Sequence, residues 1–528
     1  MVSEKRDAAV LVVGAGPTGL LLAAELQRRG VRTLLIDAHD APLDWDRATV
    51  VHPRSLEIFE SLGFVEGFLS EGVKQRIARI RSAGSVIGEI DLSICGSRYG
   101  YNIGISEEVT ERFLTDYLHR LGGEVGRSSK LVSLEDRGEA VVAGIERRFM
   151  REEVTVDWVV GCDGYHSATR GLRGIELVGH DAEEAWAVFD VTLTGWPEPY
   201  EGNFNYLDGS PVLITALPGR RWRVYVRPSR PSSEDGDLAS DALAAMLPYH
   251  PGIGFDDVTE PVRFRCHTKV AERYRSGRVL LAGDAAHVCS PSQGHGMNCG
   301  LQDAFNLAWK LALVCAGRSE ADLLDSFELE RRPAAERIVA SGEEVDHLQT
   351  MTDPEQRRAR DATLRKVFGE ATSRHHEAIA EAELDIDYAS SPIVMGDVNP
   401  ALQPGERIPD TIPIDRAGDR SFLHELAHRA GHTALVIGGP SARGEDLERI
   451  EREARAAADS SLIEATVALV ARKREGWARL GPDGAGDLGV EGVTVLVVRP
   501  DGHVGLRADR DHAEQVAKYQ SVLRAGRP

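Results

Sequence analysis

The opening of the chain alternates apolar runs with an amphipathic segment. Residues 8–13, AAVLVV, are continuously apolar, which predicts a strand of a parallel sheet that is buried on both faces. Residues 17–29 repeat apolar positions at helical spacing, and Gly30 follows as the glycine that commonly ends a helix. Residues 31–36 form a second apolar strand. This order of strand, helix and strand predicts an α/β fold with a parallel sheet.

The remainder of the chain falls into segments of different pattern. Short strands with glycine turns are expected in 75–105, a helix in 107–118, and antiparallel strands with alternating apolar positions in 175–275. Residues 340–390 are helical and heavily charged, which indicates a solvated or oligomer-facing surface. A proline-rich linker at 391–412 then leads to a third unit. This unit is expected to contain a strand at 435–439, a helix at 445–458, a hairpin at 493–508 and a final helix at 512–523.

Residues 278–310 combine a short apolar strand, a loop rich in proline and glycine, and a helix. The strand breaks at Gly283-Asp284, and the loop covers 290–298. A carboxylate at a strand end accepts hydrogen bonds from a polyol, and the unpaired N–H groups near Gly296 and Asn298 face negative charge. The segment therefore predicts a site for a ligand with phosphate or sugar groups. An ordinary βα unit with a glycine loop is the alternative. The helix is expected to bury Ala304, Ala308, Leu311 and Cys315.

Composition limits the partners of the protein. The chain has 528 residues, enough for two or three domains, and its formal net charge is −21. An acidic chain is poorly suited to bind nucleic acid or anionic membranes, and no apolar run reaches the roughly 18 residues of a membrane span. The six cysteines include no CxxC pair, and their spacing suits neither a metal site nor a disulfide framework. We therefore expect no metal and a reduced, cytoplasmic setting.

The turn after the first strand has the spacing GxGxxG. Gly14 permits the tight turn, Gly16 permits close approach of a pyrophosphate, and Gly19 lets the helix pack on the strand. Asp37, about 20 residues further on, is placed to bind the ribose of an adenosine. The motif predicts a dinucleotide cofactor but does not distinguish NAD from FAD. The acid at position 37 argues against a 2′-phosphate at this site.

Three further segments carry a family resemblance. CDGYHSATR occupies 162–170, RATVVHPRSLEI occupies 47–58, and GDAAH at 283–287 continues through Pro291 and Gly294 to LQDAFNLAWKLA. With the GxGxxG turn, they resemble the FAD-dependent aromatic hydroxylases, the p-hydroxybenzoate hydroxylase family of class A flavoprotein monooxygenases. The third unit resembles the thioredoxin-like C-terminal domain of the larger members, although no cysteine follows Cys315, which excludes disulfide chemistry there.

The resemblance implies a Rossmann-like FAD-binding domain of the GR2 type interleaved with a β-sheet substrate domain. It places the FAD-binding domain at 1–75, 106–174 and 276–395, the substrate domain at 76–105 and 175–275, and the thioredoxin-like domain at 411–528. It implies FAD contacts from Gly14, Gly16, Pro17, Thr18, Gly19, Asp37, Ala38, Arg47, Glu107, Leu131, Asp163, Gly283, Asp284, Pro291, Gly294, Gly296, Met297 and Asn298.

The implied reaction uses NADPH or NADH as hydride donor and O2 as oxygen source. A phenolic or polycyclic, polyketide-like aromatic substrate is hydroxylated through a flavin C4a-hydroperoxide, as in antibiotic biosynthesis, by a monomer or homodimer. Arg47, Pro291, His295 and Tyr225 are the catalytic candidates, the last two as bases for a substrate phenol. The aromatic candidates for the pocket wall, whose face the sequence leaves open, are Trp186, Phe189, Tyr206, Trp222 and Tyr225.

Three positions depart from the family pattern. Glu107 and His295 stand where glutamine is usual, and Gln293 stands where glycine is usual. The same motifs also serve Baeyer–Villiger oxygen insertion and simple substrate oxidation, so both remain alternatives. A further alternative of another class is a FAD-binding scaffold without catalysis.

Overall fold

The structure is a computed structural model that describes residues 6–42, 48–148, 150–208, 210–228, 235–290, 293–416, 419–471 and 477–527. Its strands are, in chain order, β1 Ala8–Val13, β2 Thr33–Ile36, β3 Val50–Val51, β4 Val73–Gln75, β5 Ile77–Ser82, β6 Ser85–Asp91, β7 Asn102–Gly104, β8 Val125–Gly126, β9 Ser129–Asp136, β10 Val141–Arg147, β11 Met150–Gly161, β12 Leu177–Thr194, β13 Gly202–Tyr206, β14 Val212–Leu217, β15 Arg221–Val226, β16 Gly254–Asp256, β17 Val262–Ala271, β18 Arg275–Ser276, β19 Val279–Leu281, β20 His287–Val288, β21 Met395–Gly396, β22 Pro413–Arg416, β23 Asp419–Phe422, β24 His432–Gly438, β25 Ile463–Val470, β26 Ala478–Leu480, β27 Val493–Val498 and β28 Val504–Ala508.

The helices are, in chain order, α1 Pro17–Arg28, α2 Pro53–Ser61, α3 Val65–Glu71, α4 Glu107–Arg120, α5 Ala168–Leu172, α6 Asp235–Met246, α7 His295–Cys315, α8 Asp325–Thr350, α9 Pro354–Gly369, α10 Ala371–Glu381, α11 Gly444–Ala457, α12 Gly484–Asp487 and α13 His512–Ala525. The expected α/β fold class is confirmed. Within the described residues, none of these helices has the length and apolar character needed to cross a membrane.

The first sheet positions the ligand-binding turns. Its parallel strands lie in the order β19-β11-β1-β2-β8, with hydrophobic core on both faces. The unbroken apolar run of β1 follows from this double burial. Because parallel strands end at one edge of a sheet, β1, β2 and β11 bring Gly14, Asp37 and Asp163 together. Backbone hydrogen bonds fix this edge, from Gly14 N to Ile36 O at 2.8 Å and from Cys162 N to Val13 O at 2.7 Å.

The second sheet has nine strands, in the order β20-β17-β12-β15-β14-β13-β5-β6 with β16 beside β12. The antiparallel expectation holds except between β13 and β5, which are parallel because β5 comes from the earlier excursion of the chain. One face packs against α6, a helix that the strand pattern did not predict. Of the aromatic candidates, Phe189, Tyr206 and Trp222 lie in this α6 core, whereas Trp186 and Tyr225 pack on the opposite face.

Helices α8, α9 and α10 contradict the expectation of a solvated surface for 340–390. Residues Leu364, Val367 and Phe368 of α9 line an internal cleft, and Phe368 packs on Gly88 of β6. Many charged residues of α9 and α10 are exposed, which explains why their composition indicated a solvated surface, although Glu344, Arg360, Glu377 and Glu381 line the cleft.

The third sheet has eight strands in the order β21-β28-β27-β24-β25-β26-β22-β23. Its two faces carry separate cores, one of them shared with α7 through Trp309. The proline-rich segment 391–412 is not a free linker, because Ile393, Leu402 and Ile408 are buried and β21 pairs with β28. The third unit is therefore firmly packed on the rest of the molecule.

Candidate active site

A single cleft of about 1110 Å³ runs from the edge of the first sheet to the face of the second. Clefts that hold one small ligand measure roughly 300–1,000 Å³, so this one is large enough for an extended ligand and a second molecule. Sites in doubly wound folds lie at the carboxyl ends of the parallel strands, which is where the cleft begins. Of the expected FAD contacts, the cleft is lined by Gly14, Gly16, Pro17, Thr18, Asp37, Ala38, Glu107, Leu131, Asp163, Asp284, Gly294, Gly296 and Met297.

The three glycines of the first turn have different surroundings. A Cβ at Gly14 would lie 2.3 Å from the carbonyl oxygen of Cys162, and one at Gly19 would lie 1.9 Å from that of Gly14. These two positions require glycine for packing, and Gly19 does not line the cleft. A Cβ at Gly16 would meet only Glu111 Oε1, at 3.8 Å. Gly16 therefore leaves open space on the cleft side of the turn.

Helix α1 begins at this open space. Its N-cap is Gly16, and no side chain caps the helix, so the first N–H groups keep their capacity to bind an anion. Burial, the glycine cradle and the uncapped helix start together fit a pyrophosphate. This fit is independent of the motif, because it rests on the space and the donors that surround the turn.

The adenosine end of the cleft is built around Asp37. Its Oδ2 accepts a hydrogen bond from Ala15 N at 2.7 Å, and its Oδ1 accepts one from His39 N at 2.8 Å. The carboxylate thus fixes the glycine turn and also faces the cleft. Arg127 Nη1 lies 3.8 Å from Asp37 Oδ1, and Lys130 lines the same end. No sequence pattern indicated either cation.

Asp163 holds the turn after β11. Its Oδ2 accepts hydrogen bonds from Thr169 N at 2.9 Å and Thr169 Oγ1 at 3.0 Å, and its Oδ1 accepts one from the Ser167 hydroxyl. The carboxylate therefore organises α5. Next to it, the ring of Tyr165 stacks on His267 of β17 with centroids 3.9 Å apart, and both rings line the cleft. The His267 contact joins distant segments, so the motif alone could not reveal it.

The turn at Gly283-Asp284 depends on a buried residue of α7. Asp303 Oδ2 accepts hydrogen bonds from Gly283 N at 3.0 Å and lies 2.7 Å from His287 Nε2, while Asp303 Oδ1 accepts one from Arg331 Nε at 2.7 Å. Burial alone would raise the pKa of Asp303, but His287 and Arg331 hold it below its ordinary value. Gly283 packs against Thr18 and does not line the cleft, whereas Asp284 does.

Helix α7 begins earlier than expected, at His295, so Gly296, Met297 and Asn298 belong to its first turn. Gly294 adopts a left-handed conformation with φ of 73° and provides no side-chain cap. The first N–H groups of α7 therefore retain the capacity to bind an electron-rich edge of a ligand. This second uncapped helix start faces the same cleft as the first.

The side chain of Asn298 does not line the cleft, which leaves its backbone N–H for the expected contact. Its Oδ1 accepts hydrogen bonds from His52 N at 3.0 Å and Ser55 Oγ at 2.8 Å. Its Nδ2 donates to the carbonyl oxygens of Val50 and Gly294, both at 2.9 Å. All four hydrogen-bonding positions of the amide are used within the protein, so Asn298 anchors the start of α7 to β3 and α2.

His295 does not lie where a base for the substrate would have to be. It is 6% exposed, its ring stacks on His52 at 4.8 Å, and its Nδ1 lies 2.7 Å from Glu383 Oε1. Burial lowers the pKa of His295 to about 4. The ring faces the protein interior and does not line the cleft, so it cannot reach a substrate. The sequence places His295 beside the ligand loop, but its buried partner, Glu383, lies on a distant segment that no local pattern connects to it.

Two other candidates line the cleft. Tyr225 faces it from β15, with its hydroxyl 3.2 Å from Thr49 Oγ1. Glu107 stands at the start of α4 and accepts a hydrogen bond from Ala48 N at 3.3 Å. Gln293 lines the cleft too, and its Oε1 accepts a hydrogen bond from Ser341 Oγ at 3.1 Å. Arg47 and Pro291, the other two catalytic candidates, lie outside the described residues.

The geometry of the cleft indicates the class of protein. One groove contains a glycine turn, an acid after the second strand and two uncapped helix starts, and a second sheet covers its far end. This arrangement is typical of a protein that binds an extended dinucleotide. Residues 7–341 match the family model described as FAD binding domain. The chain belongs to this family, within the FAD-dependent aromatic hydroxylases.

Known relatives agree over nearly the whole length. The chain is 32% identical over 511 residues, covering 94% of both proteins, to the 12-dehydrotetracycline 5-monooxygenase/anhydrotetracycline 6-monooxygenase of Streptomyces rimosus subsp. rimosus. The structure of OxyS anhydrotetracycline hydroxylase from Streptomyces rimosus superposes with a TM-score of 0.78 at 29% identity, covering 99% of each chain. Aklavinone-11 hydroxylase, solved with FAD and aklavinone, superposes with a TM-score of 0.77 at 24% identity, covering 99% of each chain, and supports the fold alone.

Proposed function

We propose that this FAD-dependent enzyme uses NADPH or NADH and O2 to hydroxylate a polycyclic aromatic substrate. The single observation that carries the proposal is the continuous cleft, which joins the dinucleotide-binding edge of the first sheet to the face of the second. A cofactor at one end and an aromatic substrate at the other would meet beside the start of α7. The tetracycline-type substrates named for the relatives favour a fused-ring substrate over a single ring.

The domain division expected above is part of the same proposal. The glycine turn and the start of α1 would hold the pyrophosphate, Asp37, Ala38 and Leu131 the adenosine, and Glu107 and Asp284 the ribityl chain. The first turn of α7, Gly294 to Met297, would hold the pyrimidine edge of the flavin. Arg47 and Pro291 stay proposed contacts on the basis of the motif.

Bound FAD would supply the redox chemistry, accepting a hydride and passing an activated oxygen atom to the substrate ring. The protein contributes the surroundings. The uncapped N–H groups of α7 stabilise negative charge beside them, because preorganised donors in a water-poor site cost no reorganisation. The sheet on one side and α8, α9 and α10 on the other exclude water from the reacting atoms. Tyr225 and Thr49 place hydroxyl groups where they can orient a substrate phenol.

The hydride donor is proposed to enter the same cleft. A second GxGxxG spacing, at 484–489, lies in α12 and the turn after it, and none of its residues lines the cleft. It therefore does not provide a nicotinamide site there. Tyr165, His166, Arg265 and His267 line the cleft together and offer a flat stacking surface with positive charge beside it. An aromatic nicotinamide or adenine ring and its phosphates suit that combination. Competition between NADPH and NADH for flavin reduction decides which donor is used.

The proposal is tested with purified protein. We expect a yellow, FAD-loaded protein that NAD(P)H bleaches, faster when hydroxylated polycyclic aromatics are present. The product should gain one oxygen atom on a ring carbon, detected by mass spectrometry. Ring expansion to an ester would instead indicate Baeyer–Villiger insertion, and loss of two hydrogens would indicate an oxidase. A colourless protein that takes up no FAD contradicts the proposal, and FAD-loaded protein without substrate-stimulated NAD(P)H oxidation indicates a scaffold.

A further inference from the structure

Glu381 is a carboxyl group in the wall of the cleft that no motif singled out. It ends α10, one helical turn after Glu377, and lines the cleft with Leu364, Val367 and Phe368 of α9. This wall combines apolar side chains with polar ones, among them Glu344, Gln349 and Arg360. An ionised carboxylate in such surroundings requires a cation or several hydrogen-bond donors.

The carboxyl group has neither. Among the described residues, no lysine, arginine or histidine forms an ion pair with Glu381, and the one hydrogen bond it receives comes from Asn102 Nδ2 to Oε1 at 3.3 Å. Burial, opposed by that hydrogen bond and reinforced by Glu383 and Glu377, raises the pKa of Glu381 to about 8. The group therefore carries its proton at neutral pH.

Asn102 fixes which oxygen holds the proton. Asn102 is fully buried, and its Oδ1 lies 3.1 Å from His52 Nδ1. Burial and the neighbouring His295 lower the pKa of His52 to about 4, so its ring is neutral. Because Asn102 Oδ1 faces Nδ1, the orientation of the amide fits the tautomer with its hydrogen on Nδ1. The amide must then present Nδ2 to Glu381 Oε1. Oε1 is an acceptor, and the proton belongs on Oε2, which has no protein partner among the described residues.

The rest of the cleft holds buried acceptors without donors. Gln349 of α8 is 7% exposed, and its Oε1 has no hydrogen-bond partner among the described residues. Asn205 Oδ1, on the opposite sheet wall, is buried and unpartnered in the same way. Both side chains line the cleft. Buried polar atoms are seldom left unpaired, so these acceptors indicate a ligand that brings hydrogen-bond donors.

We infer that the substrate end of the cleft recognises an aromatic ring system bearing both carbonyl and hydroxyl oxygens, with Glu381 donating a hydrogen bond from Oε2 to a carbonyl oxygen. This inference rests on the proposed function and narrows its substrate class to hydroxylated aromatic ketones and quinones. The hydroxyl groups of such a ligand donate to Asn205 and Gln349. A neutral carboxylic acid that serves as a hydrogen-bond donor in an apolar site is an established use of a raised pKa.

Other titratable groups surround Glu381. Glu377 lies on the same helix, Glu344 on α8, and Glu383 beyond the helix end, where burial raises its pKa to about 7. On the elements packed against α10, Arg360 of α9 lines the cleft and pairs with Asp361 at 2.8 Å. Glu89 pairs with Arg79 at 2.6 Å, and Asp91 accepts from Ser93 N at 2.9 Å. Matched variants are therefore needed to separate the titration of Glu381 from that of these neighbouring acids.

The test uses the FAD-loaded, oxidised protein without NAD(P)H, so that binding is measured without turnover. The probes are 2-hydroxyanthraquinone and 2-hydroxyanthracene, which share a tricyclic shape and a hydroxyl but differ in their carbonyl groups. Flavin absorbance and tryptophan fluorescence report binding. The variants are Glu381→Gln and Glu381→Leu. The control is Glu370→Gln, because Glu370 precedes the same helix, α10, but does not line the cleft.

We expect the wild type to bind the quinone about tenfold more tightly than the anthracene alcohol near neutral pH. Glu381→Gln should keep this preference within about threefold, because its amide presents an N–H in place of Oε2–H, whereas Glu381→Leu should lose it. Raising the pH through about 8 should abolish the preference in the wild type and in Glu370→Gln but not in Glu381→Gln.

The inference is overturned if Glu381→Leu keeps the preference or if Glu381→Gln shows the same pH dependence as the wild type. Infrared difference spectra of the ligand-free protein provide a second measurement, in which a carboxylic-acid band at neutral pH should disappear in Glu381→Gln. FAD-loaded protein that fails these tests refutes the inference and leaves the proposed function intact. A protein that takes up no FAD refutes the proposed function and the inference with it.

Discussion

Gly16 and Gly19 belong to one turn but have different neighbours, and substitution separates their roles. Gly19→Ala should destabilise the apoprotein by about 3 kcal/mol, because its Cβ would lie 1.9 Å from Gly14 O. Gly16→Ala should change the unfolding free energy by less than about 0.5 kcal/mol but weaken FAD binding about tenfold or more. Urea unfolding and flavin titration measure the two effects. Unchanged FAD affinity in Gly16→Ala would show that this turn does not hold the pyrophosphate.

Glu381 also predicts how stability depends on pH. Burial raises its pKa from 4.5 to about 8, and that of Glu383 to about 7. A raised pKa in the folded state gives stability that is complete below pH 4.5 and lost as the pH rises through the folded pKa. The free energy of unfolding should therefore fall across this window. Glu381→Gln should remove the part that extends to about pH 8 and leave the part due to Glu383. Urea unfolding across the pH range, with Glu370→Gln as control, tests this; an unchanged slope contradicts it.

Local pattern decides which site residues could be predicted. Gly14, Gly16 and Asp37 stand in one short motif whose geometry follows from strand, turn and helix, and the cleft includes all three. The role of His295 depends on Glu383 and that of Asn298 on His52, partners that no local pattern indicates. Neither residue lines the cleft, and no local pattern could indicate this. Glu381 escaped prediction in the same way, because its donor comes from a strand much earlier in the chain.

At the scale of elements, α7 connects the ligand turn to the core. Asp303→Asn should leave the buried charge of Arg331 without a counter-ion and disturb the turn at Gly283, at a cost of about 3–5 kcal/mol. Asp325→Asn is the matched control, because Asp325 pairs with Arg275 while 62% exposed, and it should cost less than about 0.5 kcal/mol. Chemical unfolding of both variants measures the difference. Equal effects would mean that Asp303 does not organise this segment.

The helices of the cleft wall explain where element-level prediction failed. Strong apolar runs such as β1 and β24 were predicted correctly, because burial on both faces leaves a clear signature. Helices α9 and α10 expose most of their residues and present only a few apolar side chains to the cleft. Such a wall resembles a solvated helix in sequence. The cleft wall differs from a solvated helix because it packs over a sheet. Only contacts between segments far apart in the chain reveal this packing.

For the molecule as a whole, a buried charged network joins the third sheet to the FAD-binding part. Arg499 donates to both oxygens of Glu330 at 2.8 Å, and Asp501 accepts from Trp309 Nε1 at 2.9 Å. Lys310 Nζ also donates to Glu330 at 2.7 Å. Arg499 and Asp501 lie at the end of the β27–β28 hairpin, and their partners lie on α7 and α8. The third unit is thus attached to the helix whose first turn faces the cleft.

This attachment predicts that unfolding of the third sheet and release of flavin occur together. Arg499→Met should cost about 3–5 kcal/mol, because it leaves Asp501 buried without its cation and Glu330 with Lys310 alone. Since α7 contributes to both parts, the calorimetric transition and the temperature of flavin release, followed by flavin fluorescence, should fall by similar amounts. Arg510→Met is the matched control: Arg510 is 80% exposed and lies 3.4 Å from Asp397, so neither temperature should move appreciably. If Arg499→Met unfolds the third sheet while FAD stays bound, α7 does not couple the two parts, and the third unit is an independent attachment.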